Sequence, residues 1–218
     1  MDKKKIADKR RALDEIARQI ENCKICKKGK IGLAVPGEGN PDADIVFLGE
    51  APGKQEAAAG RPFIGRAGKV LRSLIKDAGL KDEDVYITSP VKYLPKYVTP
   101  KPADIEHGRL HLFKQLEIIK PKIVVLLGNV AVKAMFYDLA SPAFASPFAK
   151  ATRDKKATAG KQAVLHEKFS IAKVHGKITR KDGITYLITY HPAAPLYNPP
   201  VKKELMKDFK KLKKLIQK

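Results

Sequence analysis

Gly49-Glu50-Ala51-Pro52-Gly53-Lys54-Gln55-Glu56, running on to Gly60-Arg61-Pro62-Phe63-Ile64-Gly65-Arg66-Ala67-Gly68, is the stretch around which the chain is organised. Just before it, Asp44-Ile45-Val46-Phe47-Leu48 is a short apolar run and reads as a buried strand. Just after it, residues 69–78 place Val70, Leu71, Leu74 and Ile75 at helical spacing. Residues 49–68 hold five glycines and two prolines and read as a loop. A loop at the carboxyl end of a strand can present backbone N–H groups to a ligand. It also carries a carboxylate, Glu50, and a ring, Phe63, that a turn does not require. Taken alone, a long surface turn is the competing reading. The stretch is neither a Walker loop nor a G-x-G-x-x-G fingerprint.

The chain has 218 residues, enough for a sizeable core, and 44% of them are hydrophobic. No apolar run approaches the length of a membrane span. The start, Met1-Asp2-Lys3-Lys4-Lys5-Ile6, is basic with no apolar segment behind it, so a cytoplasmic protein is expected. Lysine and arginine number 44 against 23 acids, a net charge of +21. That excess exceeds what solubility needs and favours a polyanionic partner, most simply nucleic acid. A thermophile bias towards lysine would raise glutamate as well, and glutamate is not raised. The two cysteines form Cys23-Lys24-Ile25-Cys26. In a reducing compartment this spacing indicates a metal site, a cluster or a redox pair rather than a disulfide framework. It is half a site, because a tetrahedral metal or a cubane needs two more ligands.

In chain order, residues 5–22 read as a helix with Ile6, Leu13, Ile16, Ala17 and Ile20 on one face. Residues 27–43 read as loop with one short extended piece. After the first strand, the opening loop and its helix, residues 84–89 form a second strand, 103–119 a helix and 123–128 a third, all-apolar strand. Asn129 is expected to cap a short helix to about Tyr137. Residues 139–167, rich in Ala, Ser, Lys and Pro, read as a flexible basic insertion in an otherwise single domain, 1–218. Residues 169–180 and 184–190 read as a hairpin closed at Lys181-Asp182-Gly183. The second arm runs into His191-Pro192-Ala193, and a last helix begins at Val201. Alternating strands and helices predict a three-layer α/β/α sandwich around a mostly parallel four-stranded sheet. Ligands bind at the carboxyl ends of such strands. Glu50, Ser89 and His191 each follow one, and together they point to a site acting on nucleic acid.

Gly49-Glu50-Ala51-Pro52-Gly53, the block 60–68 and His191-Pro192-Ala193 resemble family 4 uracil-DNA glycosylases, the iron–sulfur type of archaea and thermophilic bacteria. Order and spacing agree from about Asn22 to Asn198. The resemblance implies an enzyme that hydrolyses the N-glycosidic bond of uracil, or a related deaminated base, flipped out of DNA, leaving an abasic site. It implies that His191 donates a hydrogen bond to uracil O2, that Glu50 orients water or stabilises the sugar cation, and that Phe63 stacks on the base. Backbone N–H groups from Ala51 to Gly53 would complete the pocket, and Leu196 would be the wedge that fills the vacated stack. The implied partner is DNA carrying the deaminated base, bound by a monomer with no membrane association, nucleoid-associated through that DNA.

Two positions depart from the family pattern. Where the family usually reads uracil with an asparagine amide, this chain has Ser89, whose hydroxyl cannot make the bidentate contact. The resemblance also implies a 4Fe–4S cluster, for which only Cys23 and Cys26 are cysteines here. The third ligand position falls at Tyr93 and the fourth at about His107. Zinc or iron through Cys23, Cys26 and His107, a labile cluster, or no metal are the alternatives. Ser89 and the missing cysteines motivate a second reading, a glycosylase-fold protein that recognises damaged or deaminated DNA with little or no catalysis. A third, a covalent adduct with the abasic sugar, calls for a histidine in the loop after the second strand, and residues 93–100 contain none.

Overall fold

A computed structural model describes residues 3–96, 99–136 and 170–217. The basic insertion expected at 139–167 lies outside the described residues, as does Phe169. Helix α1 (Lys3–Asn22) leads into a single turn, α2 (Lys24–Lys27), and two short strands, β1 (Lys30–Ile31) and β2 (Glu38–Gly39). Then come β3 (Ile45–Leu48), α3 (Lys54–Ala59), α4 (Arg66–Asp77), β4 (Val85–Thr88) and β5 (Leu94–Pro95). The second half comprises α5 (Pro102–Ile119), β6 (Ile123–Leu127), α6 (Asn129–Phe136), α7 (Ile171–Val174), β7 (Ile178–Lys181), β8 (Ile184–Thr189), α8 (Ala194–Tyr197) and α9 (Val201–Ile216). Among the described residues no helix is long and apolar enough to cross a membrane.

The main sheet has the order β2-β4-β3-β6-β8-β7. The four expected strands, β4, β3, β6 and β8, are its parallel centre. The sheet is wider than the expected four by one antiparallel strand at each edge, β2 on β4 and β7 on β8. A separate two-stranded ribbon pairs β1 with β5. The central strands are continuous apolar runs because helices cover both faces. Their alternation divides them between two cores. Val46, Leu48, Tyr86, Val124, Leu126, Tyr186 and Ile188 pack with Leu13 of α1, Leu112 and Leu116 of α5 and Val130 of α6. Ile45, Phe47, Val85, Ile87, Val125, Leu127 and Leu187 pack on the opposite side with Leu71, Leu74 and Ile75 of α4 and Leu205, Phe209 and Leu212 of α9. The sandwich therefore has its three layers.

Register fixes the site. Leu48 lies opposite both Thr88 and Leu126, and Leu127 opposite Thr189. The four parallel strands end level, so the segments beginning at Gly49, Ser89, Gly128 and Tyr190 leave the sheet along one edge.

Three local expectations change. The loop 49–68 contains α3, started at Gly53 and stopped by Gly60 in the left-handed conformation (φ 70°). Its six residues are too short for a periodic signal. The expected first hairpin arm is a turn of helix, α7, followed by the four-residue β7, because only the part facing β8 can pair. Asn129 is the first residue of α6 rather than its cap.

Candidate active site

The opening loop folds back over the end of the sheet, and Gly49 permits its closest approach. A Cβ at Gly49 would stand 2.7 Å from the Phe63 ring and 3.0 Å from Ser89 Oγ. Phe63 itself is buried and adopts a positive φ of 51°, a strained backbone for a bulky residue. That strain is held from two sides. Glu56 Oε1 accepts hydrogen bonds from Ile64 N–H (3.0 Å) and Gly65 N–H (2.8 Å), tying α3 to the start of α4. Gly68 has no room for a side chain, since a Cβ would fall 1.8 Å from Phe63 O. Glu56 was not legible as a site residue, because nothing in its sequence neighbourhood shows that its carboxylate turns back on the loop.

Phe63 meets His191 across the sheet edge, ring centroids 5.7 Å apart and tilted by 31°. Gly128, at φ 89°, leaves space for the histidine, whose Cβ lies 3.1 Å from where a Cβ on Gly128 would be. Ala193 N–H donates to His191 Nδ1 at 3.1 Å. Nδ1 is therefore the acceptor nitrogen, and the neutral ring carries its proton on Nε2. Burial pushes the His191 pKa down to about 4, with Glu56 opposing the shift. The imidazole is accordingly a neutral N–H donor across the physiological range.

Glu50 is partly buried, with its pKa raised by desolvation and pulled back by Lys133 of α6. Its backbone carbonyl accepts from Val91 N–H at 3.4 Å, which joins the loop after β3 to the loop after β4. Ser89 is buried at the end of β4. Ala51 is partly buried against the first core, while Gly53 is exposed at the start of α3. Leu196 is 39% exposed on α8, and its neighbour Tyr197, which the sequence did not single out, is 79% exposed. Glu50, Phe63, Ser89 and His191 thus surround one sheet edge, with an apolar tip on the turn that follows the histidine.

Behind β4 lies a second unanticipated residue, Lys92. It is fully buried and donates to Pro36 O (2.9 Å), Thr88 Oγ1 (2.8 Å) and Gln115 Oε1 (2.7 Å). Burial pushes its pKa down to about 7. Gln115 Nε2 also donates to Pro36 O (2.9 Å), so the network fastens the loop before β2 to β4 and α5.

A metal-competent group stands on the α1–α5 side of the molecule. Cys23, Cys26, His107 and His111 each offer a donor atom, and the four atoms all lie within 4.8 Å of one another. Cys23 Sγ is 3.1 Å from His107 Nε2. Tyr93, placed at a ligand position by the resemblance, is not in this group. Its hydroxyl donates to Ile20 O at 3.3 Å, at the end of α1, and its ring packs with Ile16, Ile20 and Cys26. The residue sequence reasoning missed is His111, one helical turn after His107. The available signal was a pair of histidines at i and i+4, which lie on one helix face.

The model of the uracil DNA glycosylase superfamily matches residues 36–215. The type-4 uracil-DNA glycosylase of Archaeoglobus fulgidus is 36% identical over 212 residues, 94% of this chain and 93% of that protein. The type-4 enzymes of Sulfurisphaera tokodaii and Saccharolobus solfataricus are 38% and 39% identical, each over 94% of this chain and over 84% and 86% of their own lengths. With a match that spans the opening loop, the strand ends and His191, the chain belongs to the uracil DNA glycosylase superfamily, on its type-4 branch.

Proposed function

We propose that the protein hydrolyses the N-glycosidic bond of uracil in DNA and leaves an abasic site. The observation that carries this reading is the pairing of a buried aromatic ring, Phe63, with a neutral histidine N–H donor, His191, at one sheet edge, with Glu50 and Ser89 beside them. A flipped base needs a flat apolar surface to replace its stacking, and Phe63 provides one. As the glycosidic bond breaks, negative charge collects on the uracil oxygens and positive charge on the sugar. The Nε2–H of His191 is preorganised for the first. A cationic imidazole is not required, and burial disfavours it. Glu50 serves the second charge, as a carboxylate that orients water or faces the oxocarbenium-like sugar. Its partial burial keeps bulk water from screening it. Backbone N–H groups of Ala51 and Gly53 line the loop side. Leu196 enters the duplex where the base has left, and the lysine excess binds phosphates.

Incubation with oligonucleotides carrying one uracil, followed by alkali, tests this directly. The native chain is expected to give strand breaks at uracil, and His191→Ala to slow single-turnover excision by about 10²–10³-fold. Equal rates for the two would remove His191 from the chemistry.

A second reading is favoured by Ser89, a single hydroxyl at the position that reads the base edge. In that reading the protein holds uracil-containing DNA without cutting it. Single-turnover assays with excess protein separate the two. Ser89→Asn adds an amide contact and is expected to raise uracil excision by about 5–10-fold, the worth of one net hydrogen bond.

A further inference from the structure

We propose that Cys23, Cys26, His107 and His111 hold one tetrahedrally coordinated zinc ion in place of a four-iron cluster. The inference is independent of the catalytic reading, because none of the four residues belongs to the set Glu50, Phe63, Ser89 and His191.

The argument begins with the donor set. Two thiolates and two imidazoles make a closed structural zinc site, and the two thiolate charges balance a divalent ion. Zinc–sulfur and zinc–nitrogen bonds of about 2.3 and 2.0–2.1 Å place the corners of a tetrahedron roughly 3.3–3.8 Å apart. Four donors within 4.8 Å of one another form a group only slightly wider, which small side-chain movements close on one ion. A cubane gives each ligand its own iron, so its donors stand apart by the iron–iron separation plus the outward reach of two bonds, and its usual ligands are four thiolates. A two-iron centre with mixed ligands puts both thiolates on one iron and both imidazoles on the other. Here a sulfur and an imidazole nitrogen, Cys23 Sγ and His107 Nε2, are only 3.1 Å apart. That contact is slightly shorter than a tetrahedral edge and far too short for donors on two different irons, so the pair suits a single ion after a small outward movement.

The scaffold supplies the rest. Cys23 caps the single turn α2 and Cys26 N–H donates to its sulfur at 3.3 Å, which fixes the Cys23 sulfur within 4.8 Å of the Cys26 sulfur. On α5, Gly108 brings the helix against the loop after β4, where a Cβ would lie 1.9 Å from Pro90 O. This close approach sets the two histidines beside the cysteines. His111 is buried, and its Nδ1 has no hydrogen-bond partner among the described residues. Such a group costs stability unless something satisfies it. Beside the group opens a cavity of about 170 Å³ lined in part by Cys26, Lys30, Lys92 and His107, which gives an ion a way in.

The test uses the full-length protein, purified anaerobically, stripped with a chelator and refilled separately with Zn²⁺, with Co²⁺, and with iron plus sulfide. The expected result is one zinc per chain as purified. One equivalent of cobalt should give the intense visible bands of a tetrahedral ion with thiolate charge transfer. Four irons and acid-labile sulfide per chain, with broad absorbance near about 400 nm, would overturn the proposal. A metal-free chain with a Cys23–Cys26 disulfide would overturn it equally. His111→Ala should weaken cobalt binding at least about 100-fold, more than loss of an outer-shell partner does. Tyr93→Phe should leave binding unchanged. Should His111→Ala fail to fold, His111→Cys carries the same question. A third thiolate should keep the ion and raise the thiolate-to-cobalt band by about half, and unchanged intensity would remove His111 from the ligand set.

Discussion

At Glu50 and His191, burial acts on two titratable groups in ways the reaction can use. In the proposed reaction the neutral ring of His191 would donate without bringing a fixed positive charge beside the base. Glu50 is the less comfortable residue, because burial raises its pKa and Lys133 offsets part of the cost. The consequence for stability has a definite sign. A carboxyl whose folded pKa is raised contributes stability below its unfolded value of 4.5, and that contribution is lost as pH rises through the folded value. At neutral pH the ionised Glu50 is therefore a burden on the fold. Glu50→Gln is expected to raise the Tm at pH 7, the gain disappearing below about pH 4.5. The same change should slow excision by about 10²–10⁴-fold and abolish the acid limb of the pH–rate profile. Thermal melts across pH beside single-turnover rates check both. A variant both less stable at pH 7 and less active would show a folding role instead.

At the scale of elements, level strand ends and two helical layers bring scattered residues to one sheet edge. Much of this was legible. The runs 45–48 and 123–127 are wholly apolar, which requires cover on both faces and hence a parallel centre. Glu50, Ser89 and His191 could be set at one edge because each lies within two residues of the end of a strand. What escaped reading depends on contacts between segments distant in the chain. α3 is bounded by glycines and too short to show a period. Glu56 matters through two backbone N–H groups eight and nine residues on. His111 matters because α5 packs against a turn more than eighty residues earlier. Lys92 carries no mark in the sequence that separates it from the other lysines, and it is a buried donor to three oxygens. The Glu56 contacts can be tested as a device of the loop. Glu56→Ala removes two charge-assisted hydrogen bonds from the segment that holds Phe63 at positive φ, at a cost of about 2–4 kcal/mol in urea melts. Excision should fall because the stacking ring is no longer held, with the larger loss in kcat/KM on uracil DNA. Full activity would mean that Gly68 and the surrounding core hold Phe63 without the carboxylate.

Taken whole, the molecule distributes its charge of +21 beyond the pocket, and α9 carries a dense share of it. Leu205, Phe209 and Leu212 face the core, while Lys202, Lys203, Lys207, Lys210, Lys211, Lys213 and Lys214 are exposed. Two of these have local partners, Lys207 with Glu204 and Lys211 with the Gly176 carbonyl. α9 also packs against α8, the turn that bears Leu196 and the exposed Tyr197. If Leu196 is the wedge, as proposed, DNA opened there would have a lysine face at hand on the neighbouring helix. Each phosphate contact contributes roughly 0.9 to the slope of log affinity against log salt on duplex DNA. Replacing Lys203, Lys210 and Lys214 together by alanine should leave the fold intact, since none of the three is buried. It should weaken binding at low salt and reduce the slope by roughly two to three units if all three reach phosphate. A deletion of residues 140–165, which removes another basic stretch, gives the comparison. A larger fall in slope for the deletion than for the triple variant would assign the second DNA contact to that stretch. An unchanged slope in the triple variant would make the α9 face a solvated surface, leaving phosphate binding to the lysines and arginines nearer the pocket.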